Sequence, residues 1–233
     1  MNYIFDVDGT LTPSRGKMDG AFANWFEHFA THHAVYLVTG SDRQKTLEQI
    51  PEALYNLCIR VYQCSGNDVW EQDRQIRSSA ITLPQGVLVE LDKELLNSKF
   101  TIRTGEHYDY RPGLVNFSIV GRGASLEERL AYKTWDTVDR ERSRISRKLS
   151  KLFPDYNFQV AGETGIDITK VGYGKEQIVH DFGPHEKIEF FGDKCNPGGN
   201  DYDLALELAQ SGQGVHQVRN WEQTWTLLKK LLG

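Results

Sequence analysis

The residues with most chemistry to offer stand near the start of the chain, in Asp6-Val7-Asp8-Gly9-Thr10-Leu11-Thr12, directly after the apolar run Asn2-Tyr3-Ile4-Phe5. Ligands of open parallel sheets bind just beyond the carboxyl ends of the strands, so two carboxylates two residues apart at a strand end can serve one reacting centre. Asp6 suits a nucleophile that takes up a phosphoryl group as an aspartyl-phosphate, splitting one hard displacement into two easier ones. Asp8 suits a general acid and base that protonates the leaving oxygen and later deprotonates the acceptor. Gly9 permits the sharp turn that lets both acids face the same space. Taken alone, such a stretch reads equally well as a surface turn with an acid pair.

Further residues join it. Glu189-Phe190-Phe191-Gly192-Asp193-Lys194 ends a second apolar run with an acid, and Pro197-Gly198-Gly199-Asn200-Asp201 follows. Phosphoryl transfer calls for a divalent ion, and Mg2+ prefers carboxylate and carbonyl oxygens plus water. Asp6, the backbone oxygen of Asp8 and Asp193 make a fitting set, with Asn200 or Asp201 orienting water. Thr39 or Ser41, after the run Ala34–Val38, offers a hydroxyl and backbone amides to phosphoryl oxygens. Lys175, at an expected helix start, supplies positive charge. Each residue alone is as well explained as a loop residue or helix cap. Four strand or helix ends in this order point to phosphoryl transfer.

Such a site needs elements whose ends converge. Strands are expected at Asn2–Val7, Ala34–Val38, Ile59–Gln63, Ile188–Phe191 and Gly214–Val218. Helices are expected at Met18–Thr31, where Phe22, Trp25, Phe26 and Phe29 recur at helical spacing, and at Arg43–Gln49, 174–181, Tyr202–Gln210 and Trp221–Leu232. A small hairpin is expected within Val69–Ala80. The alternation implies a parallel sheet with helices on both faces. The middle differs: a helix at Val87–Leu96, strands at Phe100–Thr104, Tyr108–Arg111 and Val115–Val120, one long charged helix from Leu126 to Leu152, and strands at Asn157–Val160 and Ile166–Lys170. The expectation is an α/β core of residues 1–80 plus 172–233, interrupted by an inserted α+β cap at 81–171.

Composition sets the outer bounds. At 233 residues the chain has room for about one and a half domains. Its 39% hydrophobic and 25% charged residues exclude wholesale disorder. A net charge of −5 argues against nucleic acid as a partner, since phosphate backbones need a basic footprint. The basic stretch Asp139–Lys148 is interleaved with acids and reads as a solvated helix face. Cys58, Cys64 and Cys195 are odd in number and form no CxxC pair, which fits a reducing compartment. Neither a leader peptide nor a membrane span is expected, so the enzyme is placed in the cytoplasm with no membrane partner.

The order DVDGTLT, LVTGSD, a lysine, then FFGDKCNPGGND resembles the haloacid dehalogenase (HAD) superfamily of aspartyl phosphotransferases. Within it the chain is similar to the eukaryotic-type phosphomannomutase family. The stretch from Arg111 to Arg122, RPGLVNFSIVGR, resembles that family's RNGMLNVSPIGR; SLEER at Ser125–Arg129 resembles its SQEER, and Gly162–Ile168 its GGQISFDV. The resemblance implies a HAD-like Rossmannoid core with a C2-type cap, Mg2+ dependence, and a hexose 1,6-bisphosphate as activator. It also implies that Arg111, Arg122 and Arg129 hold the phosphate distant from the reacting one, a task suited to planar guanidinium groups. Asp167 would bind sugar hydroxyls, Gly165 stands where the family has a serine, and Arg15 would reach the ligand. Lys45 also matches a basic position but reads as a helix-surface lysine.

The implied function is a Mg2+-dependent phosphohexose mutase that interconverts mannose 6-phosphate and mannose 1-phosphate. Its partners would be a small phosphosugar and a second copy bound through the cap. The chain departs from the family at Pro112, at Ser65-Gly66-Asn67-Asp68, in a shorter segment before Arg111, and in a plain helix after Asp201. A sugar-phosphate phosphatase needs only Asp6, Asp8, Asp193, Lys175 and Thr39, and stands as the alternative; a noncatalytic sugar-phosphate sensor is the third reading.

Overall fold

The computed structural model describes residues 1–231. The first third of the chain forms β1 (Asn2–Phe5), α1 (Gly20–His32), β2 (Ala34–Val38), α2 (Arg43–Gln49), α3 (Glu52–Leu57), β3 (Arg60–Gln63) and the hairpin β4 (Asp68–Glu71) and β5 (Arg74–Ser78). The middle forms α4 (Gln85–Asn97), β6 (Tyr108–Arg111), β7 (Leu114–Ser118), α5 (Leu126–Asp139), α6 (Glu141–Leu152), β8 (Tyr156–Ala161) and β9 (Gly165–Lys170). A 3-10 segment, Lys175–Asp181, leads into β10 (Ile188–Gly192), α7 (Tyr202–Gln210), β11 (Gly214–Gln217) and α8 (Trp221–Leu231). The helix end expected at Leu232 lies outside the described residues.

The larger sheet runs β11-β10-β1-β2-β3-β4-β5, parallel from β11 to β3 and antiparallel in the final hairpin. β1 lies inside it because both of its faces are apolar, as a strand covered on both sides requires. Phe5 packs with Phe22, Phe26 and Phe29 of α1 on one face. Ile4 packs with Leu204 and Leu208 of α7 on the other.

The smaller sheet, β6-β7-β9-β8, is antiparallel throughout. Alternation gives it two unlike faces. Val115, Phe117, Ile166, Ile168 and Phe158 form a core with Val87, Leu91, Tyr132, Ile145 and Leu149 of α4, α5 and α6. The opposite face carries a row of polar residues in register across all four strands, Asp109, Asn116, Asp167 and Gln159. That face meets the larger unit. Arg111 Nη1 donates to the Gly40 carbonyl (2.5 Å), Gln159 Nε2 to Asp203 Oδ2 (2.5 Å), and the Val160 N–H to the Gly198 carbonyl (3.2 Å).

Several expectations are corrected. Residues 100–104 are not a strand, because their polar groups are satisfied elsewhere: Arg103 donates to the carbonyls of Leu95, Phe100 and Ile102, and Thr104 bonds Val120 and Gly123. The helix expected from Leu126 to Leu152 breaks at Arg140, which is left-handed (φ 58°, ψ 35°). Asp136 anchors the break by accepting from the Arg142 N–H (2.9 Å) and from its Nε (2.7 Å). The short helix α3 escaped the sequence reading, and 175–181 is 3-10 rather than α. No described helix is long and apolar enough to cross a membrane.

Candidate active site

Asp6 follows β1, and its N–H continues the ladder to the Phe191 carbonyl (2.9 Å). Its carboxylate is buried and accepts from Thr10 Oγ1 (3.1 Å) and Lys175 Nζ (2.7 Å). The chain then turns around the Val7 carbonyl, which receives the N–H groups of Thr10, Leu11 and Thr12. Gly9 is required twice over in this turn. Its φ is +89°, and a Cβ there would stand 2.5 Å from Asp193 Oδ2. Asp8 is held by the Arg15 N–H (2.5 Å), Gln49 Nε2 (3.0 Å) and Ser41 Oγ (3.5 Å). Its side chain therefore stands apart from the other acids.

Those acids form one cluster, in which Asp6 and Asp201 are buried and Asp193 is half-buried. Asp6, Asp193 and Asp201 each bring an oxygen within 4.8 Å of the others. Lys175 Nζ bridges Asp6 and Asp201 (2.7 and 2.6 Å), and Lys194 Nζ pairs with Asp193 (3.2 Å). Burial holds Asp6 well above the usual carboxylate range; the Lys175 ammonium opposes the shift, while Asp201 and Asp193 add to it. Burial works against the charge on Lys175, but Asp201 and Asp6 outweigh it and hold the ammonium charged. Three carboxylates face two ammonium groups, which leaves the cluster an oxygen-rich site of negative charge that suits a cation. Asn200 Oδ1 is buried without a partner among the described residues, so a further oxygen donor is ready. An all-oxygen set of this kind fits Mg2+. Lys175, expected at a phosphoryl oxygen, is committed to two carboxylates.

The cleft above this floor holds about 60 Å3. Asp6, Asp8, Ser14, Arg15, Thr39 and Ser41 line one side, and Arg111, Asn116, Arg122 and Asp167 the other. Thr39 Oγ1 accepts from the Ser41 N–H (3.0 Å), which fixes the loop after β2. Asp109 takes both Arg111 Nη2 (2.5 Å) and Arg122 Nη2 (2.9 Å). Asn116 accepts from Arg122 Nη1 (2.9 Å) and donates to Asp167 Oδ1 (2.6 Å). Gly40 must lack a side chain, since its Cβ would lie 2.8 Å from Asp167 Oδ2. Gly165 is equally constrained: its Cβ would lie 2.4 Å from Asn116 Nδ2.

Arg129 sits in the first turns of α5, whose start is set by the reciprocal bonds of Ser125 and Glu128. It is only 3% exposed, and none of its three guanidinium nitrogens has a partner among the described residues. Arg129 does not line the cleft itself, but its charge weighs on Arg15. Burial lowers Arg15 to about 10, reinforced by Arg129 and Arg111. Burial likewise lowers Arg122 to about 10, reinforced by Arg15 and Arg111. Asp109 pairs with only two of these crowded guanidinium groups, so a further anion is favoured among them. Lys45, by contrast, pairs with Glu48 (2.8 Å) on the open face of α2.

Sequence reasoning missed several residues here. Lys194 and Asn116 lie inside stretches already singled out, and the period of two places Asn116 beside Asp167. Asp109 and Gln49 carry no local sign; Gln49 reaches Asp8 from 41 residues away.

Comparison with known proteins completes the description. The sequence profile described as "Eukaryotic phosphomannomutase" matches residues 22–233. The phosphomannomutase of Saccharomyces cerevisiae is 29% identical over 239 residues, covering 98% of this chain and 92% of its own. That of Spinacia oleracea is 28% identical over 231 residues, covering 95% and 91%. Among solved structures, an IMP-bound, N-terminally truncated Plasmodium falciparum IMP-nucleotidase superposes with a TM-score of 0.64 at 14% identity, over 100% of this chain and 68% of that one. A trehalose-6-phosphate phosphatase related protein gives 0.58 at 17% identity, over 99% and 96%. These two likenesses concern the fold alone, a HAD-like α/β core with a cap.

Proposed function

Because the chain belongs to the eukaryotic phosphomannomutase family, we propose that it interconverts mannose 6-phosphate and mannose 1-phosphate at the Asp6 site. The observation that carries this reading is a cleft with two unlike walls. Acids able to carry a phosphoryl group lie on one side and the guanidinium groups of Arg111 and Arg122 on the other, with the charge of the buried Arg129 acting on Arg122 and Arg15. A substrate that must present phosphate at either end needs both.

Asp6 and Asp193 would hold Mg2+, with Asp201 and Asn200 beside them; the bound ion would neutralise charge on the transferring phosphoryl group. A hexose 1,6-bisphosphate activator transfers one phosphoryl group to the Asp6 carboxylate, giving the acyl phosphate and a hexose monophosphate whose leaving oxygen takes its proton from Asp8. Asp8 takes the proton from the free hydroxyl of a bound monophosphate as that oxygen attacks phosphorus, giving mannose 1,6-bisphosphate and free Asp6. The bisphosphate turns end for end. Asp6 then accepts the other phosphoryl group while Asp8 returns the proton to the leaving oxygen. Arg15, Arg111 and Arg122 hold whichever phosphate is distal, Arg129 adds its charge from outside the cleft lining, and Asp167 holds the sugar hydroxyls.

About 60 Å3 is far below the roughly 300 Å3 of ordinary ligand pockets, so substrate enters and turns only with the cap raised. Closure re-forms the Arg111–Gly40 and Gln159–Asp203 bonds and shields the acyl phosphate at Asp6 from water. The three unpaired cysteines support a cytoplasmic location. A homodimer through the cap is part of the same reading, supported by the exposed Leu126, Leu130 and Val138 of α5; sedimentation tests it.

The experiment supplies mannose 1-phosphate, Mg2+ and catalytic hexose 1,6-bisphosphate. Mannose 6-phosphate should accumulate with little free phosphate. Rapid phosphate release with no isomer would favour a phosphatase instead.

A further inference from the structure

The stretch Ser65-Gly66-Asn67-Asp68, where the chain departs from its family, has no part in the steps above. It follows β3 through three successive residues of positive φ, Cys64 (49°), Ser65 (60°) and Gly66 (88°). For the two that carry side chains such backbone is strained, and strain persists only where the surroundings over-determine it. On one side the loop after β2 does so. The Cys64 N–H donates to the Ser41 carbonyl (3.0 Å) and the Ser65 N–H to the Thr39 carbonyl (2.8 Å), with Gly40 held between them.

Asn67 closes the turn and reaches the other way. It is fully buried. Its backbone carbonyl accepts from the Ser79 N–H (2.7 Å), where the chain leaves the larger sheet. Its Nδ2 donates to the Tyr173 carbonyl (2.7 Å), where the chain comes back, and to the Cys64 carbonyl (2.9 Å) of its own turn. The turn between β6 and β7 packs against this amide so closely that a Cβ on Gly113 would stand 2.3 Å from Asn67 Cγ. Gly113 is two residues from Arg111, whose Nη1 donates to the Gly40 carbonyl. One strained turn therefore holds Gly40 from one side and the hairpin that carries Arg111 from the other.

We propose that Asn67 is a positioning residue: its amide fixes the β6–β7 turn and the returning chain so that Arg111 meets the Gly40 carbonyl when the cap is down. The proposal rests on the phosphohexose reading above, and it assigns cap closure to a residue outside the cleft lining. Without the amide the cap stands open more often, and the distal phosphate is held less well.

The test compares wild type, Asn67→Ala, Gly113→Ala and the double variant. Cap opening is read without substrate, by amide hydrogen exchange at Val160. β8 is an edge strand, and this N–H bonds across to the Gly198 carbonyl (3.2 Å), so it is protected while the cap is down. Phe5, in the interior of the larger sheet, is the reference. Each buried hydrogen bond is worth about two- to tenfold in an equilibrium. Loss of the two from Nδ2 should speed exchange at Val160 about tenfold relative to Phe5. Gly113→Ala should act in the same direction, and either single variant suffices if the other fails to fold. The double variant should fall short of the product of the two, because the colliding atoms are gone. In Asn67→Ala, kcat/KM should fall about tenfold further with hexose 1,6-bisphosphate than with acetyl phosphate, which lacks a distal anion. Unchanged exchange at Val160 overturns the proposal. So does an equal rise at Phe5, the mark of lost global stability, and so does a kcat/KM that falls alike with both donors. Failure of the mutase reading shows separately, as phosphate without isomer from the wild-type enzyme, and leaves the exchange measurement intact.

Discussion

Arg129 offers an unusual perturbation, because its burial without partners works against the folded protein while serving the ligand. Three guanidinium nitrogens lack partners among the described residues in a residue 3% exposed, and Arg122 adds like-charge repulsion to the burial that already disfavours the ion. An unsatisfied buried polar group costs about 1–3 kcal/mol, and more if charged. Water in the adjoining cleft relieves part of this, so one such cost, about 1–3 kcal/mol, is a reasonable total. Methionine fills similar space without charge. Arg129→Met should then raise the melting temperature of the ligand-free protein by about 2–12 °C, at roughly 2–4 °C per kcal/mol for a chain of this length. Loss of its positive charge beside the bound phosphate should cost up to about 3 kcal/mol of ligand binding, at most on the order of a hundredfold. The assay is thermal unfolding in phosphate-free buffer, repeated across a titration of hexose 1,6-bisphosphate. The variant should melt above wild type without ligand and below it at ligand concentrations far above the wild-type Kd, because ligand stabilises by RT ln(1 + [L]/Kd), which is smaller for the weaker binder. A variant that melts below wild type without ligand, yet keeps the full ligand-induced shift, would refute the reasoning.

Other perturbations probe the remaining parts. Gly165→Ser places a Cβ 2.4 Å from Asn116 Nδ2 and should cost about 1–3 kcal/mol of stability while raising KM, because Asn116 would release Asp167 and Arg122; unchanged melting and KM would contradict this. Asp109 is held below its ordinary value because Arg111 and Arg122 outweigh its burial. A depressed carboxyl contributes stability above its unfolded pKa of about 3.9 and loses it as pH falls through the folded value. Asp109→Asn should therefore show a flatter loss of stability below about pH 4 in unfolding experiments, and a slope equal to wild type would count against the ion pairs. Removing Mg2+ with a chelator should lower turnover on the order of a thousandfold, reversibly, and should also lower the melting temperature by leaving Asp6, Asp193 and Asp201 crowded. Full activity in chelator would exclude the metal assignment.

How far the sequence reaches differs between the two walls of the cleft. Asp6, Asp193 and Thr39 were legible because each follows an apolar strand, and a parallel sheet gathers strand ends on one edge. The cap sheet was legible in outline, since period-two alternation set Asn116 and Asp167 on one face. What escaped depends on side chains reaching across the fold. The break at Arg140 has no local breaker residue; it is set by Asp136 bonding forward to Arg142. Lys175 reads as a free cation until Asp201, 26 residues away, is seen to share it. The segment 100–104 has the composition of a strand, yet Arg103 and the Val120–Gly123 loop claim its polar groups.

The central claim is that Asp6 carries the phosphoryl group between the two ends of the sugar. It is tested most directly by mixing the enzyme with Mg2+ and hexose 1,6-bisphosphate, quenching, reducing with borohydride, and mapping peptides by mass spectrometry. An acyl phosphate at Asp6 would be converted to homoserine at position 6, and the account predicts that product in wild type and none in Asp6→Asn. Sugar isomerisation with the modification at another residue, or with no modification at all, would contradict it.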